Sequence, residues 1–254
     1  MGFLDIKNMC RSFGGLRAVD GVSFSVGEGM IKAVIGPNGA GKTTLFNLIS
    51  GALAADSGEV YLRGNPIHGL APFKIARHGI SRTFQNIRLF PGMTVLETVM
   101  VGRHVRSRAG FIPAMLRLPW TRREEKEIRD RAMEILGMME LVGLEEQEAV
   151  SLPFGTQRIV EFARALASEP ALILLDEPAA GLNIYETARI SELITRIRQG
   201  GVTVLVIEHD MSLVMDISDE ILVLSSGRAI AEGAPAVIQK DPEVVRVYLG
   251  DEDA

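Results

Sequence analysis

Four stretches of this chain are apolar almost without a break: Ile31–Ile35, Leu172–Leu175, Val202–Ile207 and Ile221–Leu224. Lys32 and Thr203 are their only polar interruptions. A strand with one wetted face alternates apolar and polar residues. A continuous run therefore reads as a strand buried on both faces, as in a parallel sheet covered by helices. Helical patterns lie between the runs. Ile190, Leu193, Ile194 and Ile197 give one amphipathic face ahead of the Gly200-Gly201 stop. Val22, Phe24 and Val26 alternate with small polar residues, and Val60 and Leu62 do the same within Gly58–Gly64. These two segments read as half-buried antiparallel strands. Residues 86–168 carry no strong strand signal. They hold two helix-like stretches, Thr94–Val105 and Arg122–Met139, the second with a heavily charged face. The pattern predicts an α/β core with an inserted helical subdomain, and it contains no internal repeat and no low-complexity linker.

Composition narrows the functional classes. The 254 residues, 47% of them hydrophobic, are enough to bury a sizeable core in one or two domains. One cysteine, Cys10, permits no internal disulfide and no multi-cysteine zinc site. The net charge of −5 gives no whole-chain reason to expect nucleic acid, and one tryptophan with three tyrosines offers little to stack on bases. Asp5 interrupts the segment in which a signal peptide would need its apolar run. No apolar run approaches the ~20 residues that a membrane-spanning helix requires.

The first buried run leads directly into Gly36-Pro37-Asn38-Gly39-Ala40-Gly41-Lys42-Thr43, and then Thr44 and the apolar segment Leu45–Ile49. This is G-x-x-x-x-G-K-[ST] in a strand–loop–helix setting. Glycines let backbone N–H groups close on phosphate oxygens, and a helix N-terminus adds its positive end. Lys42 is placed to reach the β- and γ-phosphates, and the Thr43 hydroxyl to bind Mg²⁺. A Gly-rich turn with no ligand would not need Lys42 and Thr43 at those positions.

The run Leu172–Leu175 ends in Asp176-Glu177-Pro178. A carboxylate at the C-terminal end of a parallel strand faces the ligand crevice of an open α/β sheet. Asp176 is then the expected Mg²⁺ ligand, directly or through a water, and Glu177 the group that polarises an attacking water. The plainer reading makes one of the two a helix cap or turn acid. Val202–Ile207 is followed by Glu208-His209-Asp210, which brings His209 to the same sheet edge, within reach of a γ-phosphate. Gln85, in Ser81-Arg82-Thr83-Phe84-Gln85-Asn86, stands at the entry to the helical subdomain and by itself is uninformative.

Taken in this order and spacing, the pieces resemble the ATP-binding subunit of ABC transporters nearly end to end. The resemblance places Lys42 in a Walker A loop, Gln85 in a Q-loop, Asp176 and Glu177 in a Walker B motif, and His209 at the switch histidine. It implies a P-loop NTPase core of mainly parallel sheet with helices on both faces, an N-terminal antiparallel β subdomain and an inserted helical subdomain. Residues 1–85 and 169–254 would form the core with its β subdomain, and 86–168 the helical subdomain. It further implies ATP and Mg²⁺ as cofactors, with Gln85 joining Thr43 and Asp176 around the metal. Phe13 would stack on adenine, the alternative being a core phenylalanine. The implied partners are a second ATP-binding subunit, identical or related, integral-membrane permease subunits, and indirectly a periplasmic or extracellular solute-binding protein, with no nucleic acid. The location implied is peripheral, on the cytoplasmic face of the inner membrane.

Two motifs depart from the family pattern. Where the family has Leu-Ser-Gly-Gly-Gln, this chain reads Leu152-Pro153-Phe154-Gly155-Thr156, followed by Gln157-Arg158 and an apolar helix. Leu152, Phe154 and Gly155 remain to line a phosphate, but Pro153 supplies no hydroxyl. In Ala179-Ala180-Gly181-Leu182-Asn183, asparagine stands where aspartate is usual. The strings GPNGAGKTTL (Gly36–Leu45), EPAAGLN (Glu177–Asn183), IEHDMSLV (Ile207–Val214) and VVRVYLG (Val244–Gly250) are similar to the longer ATP-binding subunit of branched-chain amino-acid importers. Urea and short-amide importers and the lipopolysaccharide-export ATPase share much of this, and a soluble non-transport ATPase is the more distant alternative. Arg103–Arg123 carries six arginines, no acid, and an apolar segment ending near Trp120. It is expected to be either an exposed loop packed on the helical subdomain or a surface lying against permease or anionic lipid.

Overall fold

A computed structural model describes residues 2–83, 85, 87–103 and 119–249. The chain divides into two compact units, one formed by Met1–Arg82 with Ala171–Ala254, the other by Thr83–Pro170.

The first unit holds two sheets. The N-terminal one is antiparallel and built from β1 (Leu4–Phe13), β2 (Leu16–Val26), β4 (Ser57–Leu62) and the two-residue β5 (Asn65–Pro66), in the order β2-β1-β4-β5. The second has six strands. These are β3 (Ile31–Ile35), β6 (Ile80–Arg82), β7 (Leu172–Asp176), β8 (Thr203–Ile207), β9 (Glu220–Ser225) and β10 (Arg228–Gly233), in the order β10-β9-β3-β8-β7-β6. Every neighbouring pair in it is parallel except the β9–β10 hairpin. The four apolar runs are thus β3, β7, β8 and β9 at its centre, and every residue of β3, β7 and β8 is buried.

Alternation decides what each face meets. Val34, Leu172, Leu174, Leu205, Ile207, Leu222 and Leu224 join one core cluster with the antiparallel sheet and with Leu45, Phe46 and Ile49 of α1 (Lys42–Ile49). The residues between them, such as Ala33, Ile173, Val204 and Val223, are equally buried and point the other way. A helix spanning Ile184–Gln199 packs on β8 and buries Ile190, Leu193, Ile194 and Ile197, the face read from the sequence. It ends at Gly200.

In the second unit, α3 (Val95–Arg103) follows α2 (Pro72–Arg77) of the first. Next come α4 (Pro119–Met138), a 3-10 turn at Ala149–Ser151 and α5 (Phe154–Leu166). Val95, Leu96 and Val99 are buried with Ile135, Leu136, Ile159, Val160 and Phe162. The helix at Ile184–Gln199 is α6. It is followed by α7 (Met211–Ile217), α8 (Pro235–Ile238) and α9 (Pro242–Leu249). Among the described residues no helix is long and apolar enough to cross a membrane. The stretch 104–118 between α3 and α4 lies outside the described residues, and with it most of the basic and apolar segment singled out from the sequence. Of that segment Arg103 is described, paired with Glu169 at 2.9 Å.

Candidate functional site

The register of the central sheet brings the sequence-predicted residues of the first unit to one edge. Val34 and Asp176 both lie opposite Ile207, so β3, β8 and β7 end level with one another. Gly36 follows β3, Asp176 closes β7, and Glu208 and His209 follow β8.

The loop Gly36–Gly41 turns into α1 with Gly41 as N-cap, at φ +100° and with no side chain capping the helix. A β-carbon at Gly41 would lie 2.2 Å from the Ala18 carbonyl oxygen, so only glycine lets the loop run this close to β2. Gly36 and Ala40 are buried and Pro37 half-buried, whereas Asn38, Gly39 and Thr43 are exposed and Thr44 is half-buried. Lys42 is buried, and its Nζ donates to the carbonyls of Gly36 (2.6 Å) and Pro37 (3.0 Å). Burial pushes the Lys42 ammonium below its ordinary range, against the opposing pull of Glu177 and then Asp176. The two carboxylates are therefore close enough to act on Lys42.

Asp176 is buried and pairs with Arg82, whose Nη2 donates to its Oδ2 at 2.8 Å. Arg82 also donates to Asn47 Oδ1 (2.7 Å) and Ser50 Oγ (3.0 Å) on and just after α1. It thereby joins β6, β7 and the helix behind the phosphate loop. Glu177 is half-buried and adopts φ +48°, a left-handed conformation unfavourable by ~1–2 kcal/mol for a residue with a β-carbon. Its N–H donates to the Ile207 carbonyl at 3.0 Å, which ties it to β8. Glu208 is fully buried and His209 exposed. At the far end of the chain, burial of Tyr248 on α9 pushes its phenol up, against the opposing pull of the Gly36 main chain.

Phe13 ends β1 beside the Gly14-Gly15 turn and is 47% exposed, so it is not a core residue. The Arg11 guanidinium lies 5.0 Å from the centroid of its ring, held there by Asp56 at 2.7 Å. The Ser12 N–H and then Arg11 hold the Asp56 carboxyl below the usual range.

The remaining predicted residues lie in the second unit. Gln85 is exposed, and its carbonyl accepts from Arg158 Nη2 at 2.9 Å. Leu152 is buried and Phe154 exposed. The helix after this motif begins earlier than the sequence suggested. α5 starts at Phe154 because Pro153, with its fixed φ, serves as N-cap, and Gly155 is buried in the first turn rather than held in a loop. Gln157 clamps the preceding turn by donating to the carbonyls of Val150 (3.0 Å) and Leu152 (2.8 Å).

The first unit fits a Mg²⁺–polyphosphate. Its N-terminal helix end is uncapped, its loop N–H groups border an exposed surface, and Lys42 holds only loop carbonyls. Thr43 and Asp176 supply the hard oxygen donors Mg²⁺ takes, few enough that phosphate oxygens and water complete the shell. No group of three or more His, Cys, Asp or Glu suited to a metal occurs among the described residues, which excludes an all-protein metal cage there.

A fold and site of this kind define a nucleotide-binding cassette, and comparison with known proteins agrees. The family model described as ABC transporter matches residues 19–180, and one described as branched-chain amino acid ATP-binding cassette transporter matches 230–254. The chain belongs to the ABC transporter family. It is 43% identical over 249 residues to the high-affinity branched-chain amino acid transport ATP-binding protein BraF of Pseudomonas aeruginosa, covering 98% of each chain. It is 42% identical, with the same coverage, to the corresponding protein LivG of Escherichia coli K12. Among solved structures, the ADP conformation of an ATP-binding cassette of an ABC transporter superposes with a TM-score of 0.86 at 35% identity, over 99% of this chain and all of that one.

Proposed function

We propose that this chain is the ATP-hydrolysing subunit of an importer of branched-chain amino acids, driving a separate membrane permease. The observation that carries this reading is the end-to-end similarity to ATP-binding proteins named for that transport. In this reading the chain sits on the cytoplasmic face of the inner membrane and pairs with a second cassette, identical or related. The permease receives its solute from a periplasmic or extracellular binding protein.

The chemistry follows from the residues at the sheet edge. Lys42 exchanges its loop carbonyls for the β- and γ-phosphates, a charge-assisted contact. Glu177 orients a water toward the γ-phosphate and takes its proton. His209 stabilises charge developing on the transferred group. Phe13 stacks on the adenine. Mg²⁺, held by Thr43 and Asp176 with Gln85, would neutralise the β- and γ-phosphate oxygens. Gln85 and the segment Leu152–Gly155 enter this account through the family resemblance.

Glu177→Gln keeps the shape of the side chain and removes the base. It should bind ATP normally while hydrolysis falls by at least ~100-fold, measured by phosphate release. Hydrolysis near the parent rate would remove Glu177 as the base. Vesicles containing the assembled transporter should take up leucine on addition of ATP. Uptake of urea or a short amide in its place would reassign the solute and leave the ATPase assignment standing.

A further inference from the structure

Glu208 follows the last residue of β8 and is fully buried, and the mechanism above gives it no task. A carboxylate in that position is unfavourable unless donors meet both of its oxygens. Here they come from two different loops. Oε1 accepts from the Ala179 N–H at 2.8 Å, and Ala179 lies two residues beyond Glu177. Oε2 accepts from the His209 N–H at 3.0 Å and the Asp210 N–H at 3.4 Å. Burial pushes the Glu208 carboxyl up, and the three backbone donors pull the other way. One residue earlier, the Ile207 carbonyl holds the Glu177 N–H. The two loops are thus fastened twice beyond the end of the sheet, once by main chain and once by this carboxylate.

The His209 side chain has 63% of its surface exposed, and its Nδ1 is 3.8 Å from Glu208 Oε2, beyond hydrogen-bond distance. Little in the first unit grips the ring, so its position follows the main chain. Asp210, the third residue that Glu208 engages, caps α7 through the N–H groups of Ser212 (2.9 Å) and Leu213 (3.2 Å). The His209 segment is therefore anchored on both sides.

We propose that Glu208 is a positioning residue for hydrolysis, fixing the backbone of His209 against the turn that carries Glu177 so that base and imidazole keep one spacing. The inference rests on the reading of Glu177 and His209 given above. A displacement of about 1 Å in such a pair is enough to lower turnover by ~100-fold.

Glu208→Gln is the test. Whichever way the amide turns, its NH₂ faces backbone N–H groups of one loop or the other, and that fastening fails. In the full chain, kcat should fall by about 10- to 100-fold, with KM for ATP and ADP affinity changed by less than about 3-fold. In a His209→Ala background the same change should cost less than about 3-fold, because both substitutions remove one arrangement. A purely structural role would lower activity by the same factor in both backgrounds and overturn the inference. So would parent-like turnover of Glu208→Gln beside an impaired His209→Ala. If His209→Ala itself turns over like the parent, the reading of His209 fails, and this inference with it. Should Glu208→Gln not fold, Glu208→Asp retains the charge with a shorter reach. It should show the same drop in kcat and the same non-additivity, and parent-like turnover would overturn the proposal.

Discussion

At Gly41 the chain has no alternative residue. The backbone is left-handed there, and any β-carbon would press into the Ala18 carbonyl at 2.2 Å. Gly39, also at positive φ, has nothing within 4 Å of the corresponding point. Both have positive φ, and the large difference between them is the close approach at Gly41, so their alanine variants should separate the effects. Gly39→Ala should cost about 1–2 kcal/mol, the left-handed penalty alone. Gly41→Ala should cost at least about 2–4 kcal/mol, as strain and overlap add. Urea denaturation of both variants checks this, and equal losses would mean that the contact with β2 is not what fixes Gly41. Residues whose place is written in local pattern, such as Gly36–Thr43, Asp176 and Glu177 at the ends of buried strands, could be located from the sequence. Arg82 and Glu208 could not. Their partners, Asp176 and Ala179, lie 94 and 29 residues away. Nothing in Ser81-Arg82-Thr83 or Ile207-Glu208-His209 announces them.

At the level of elements, Asn183 stands out as a departure from the family pattern that the structure puts to use. Its Oδ1 accepts from the N–H groups of Tyr185 and Glu186 at 3.0 Å, and Glu186 Oε2 accepts from the Asn183 N–H at 3.0 Å. This is a complete capping box at the start of α6. Asn183→Ala should lower stability by about 1 kcal/mol, whereas Asn183→Asp should retain the cap and stay within about 0.5 kcal/mol. Thermal melts of the two variants distinguish them. Strand legibility followed burial. β3, β7, β8 and β9 were readable because both faces are covered. β1 was not. Its pairing with β2 shifts register between Ile6 and Met9 and twice more before Phe13, so the apolar alternation loses phase. β6 has three residues, and β10 is exposed or half-buried throughout, so neither leaves a pattern to find.

On the scale of the whole molecule, Lys32 links layers distant in sequence. It is buried in the middle of β3, where its Nζ donates to the Ser25 carbonyl at 2.7 Å and to Glu220 at 2.9 Å, and also meets Glu232. Both glutamates are about 40% exposed. The cluster should therefore respond asymmetrically. Lys32→Met leaves two carboxylates that can turn to water and should cost less than about 1.5 kcal/mol. Replacing both Glu220 and Glu232 by Gln strands a buried ammonium and should cost about 3–5 kcal/mol. Comparable losses in urea unfolding of the two variants would contradict this account.

The position of β3 in its sheet also sets a timetable. The Gly29 N–H bonds Thr203 Oγ1 and the Ile31 N–H bonds Asp219 Oδ2, contacts that span 174 and 188 residues of chain. Both strands that flank β3 are therefore translated long after it. At ~5–20 residues per second, roughly ten to forty seconds separate the synthesis of β3 from that of its partners. During that interval a strand apolar on both faces has two bare edges, the arrangement most prone to wrong pairing. The inserted unit, compact in itself, can fold meanwhile. A chain halted before residue 203 thus carries β3 without either of its neighbours, and the sheet edge still lacks Glu208 and His209.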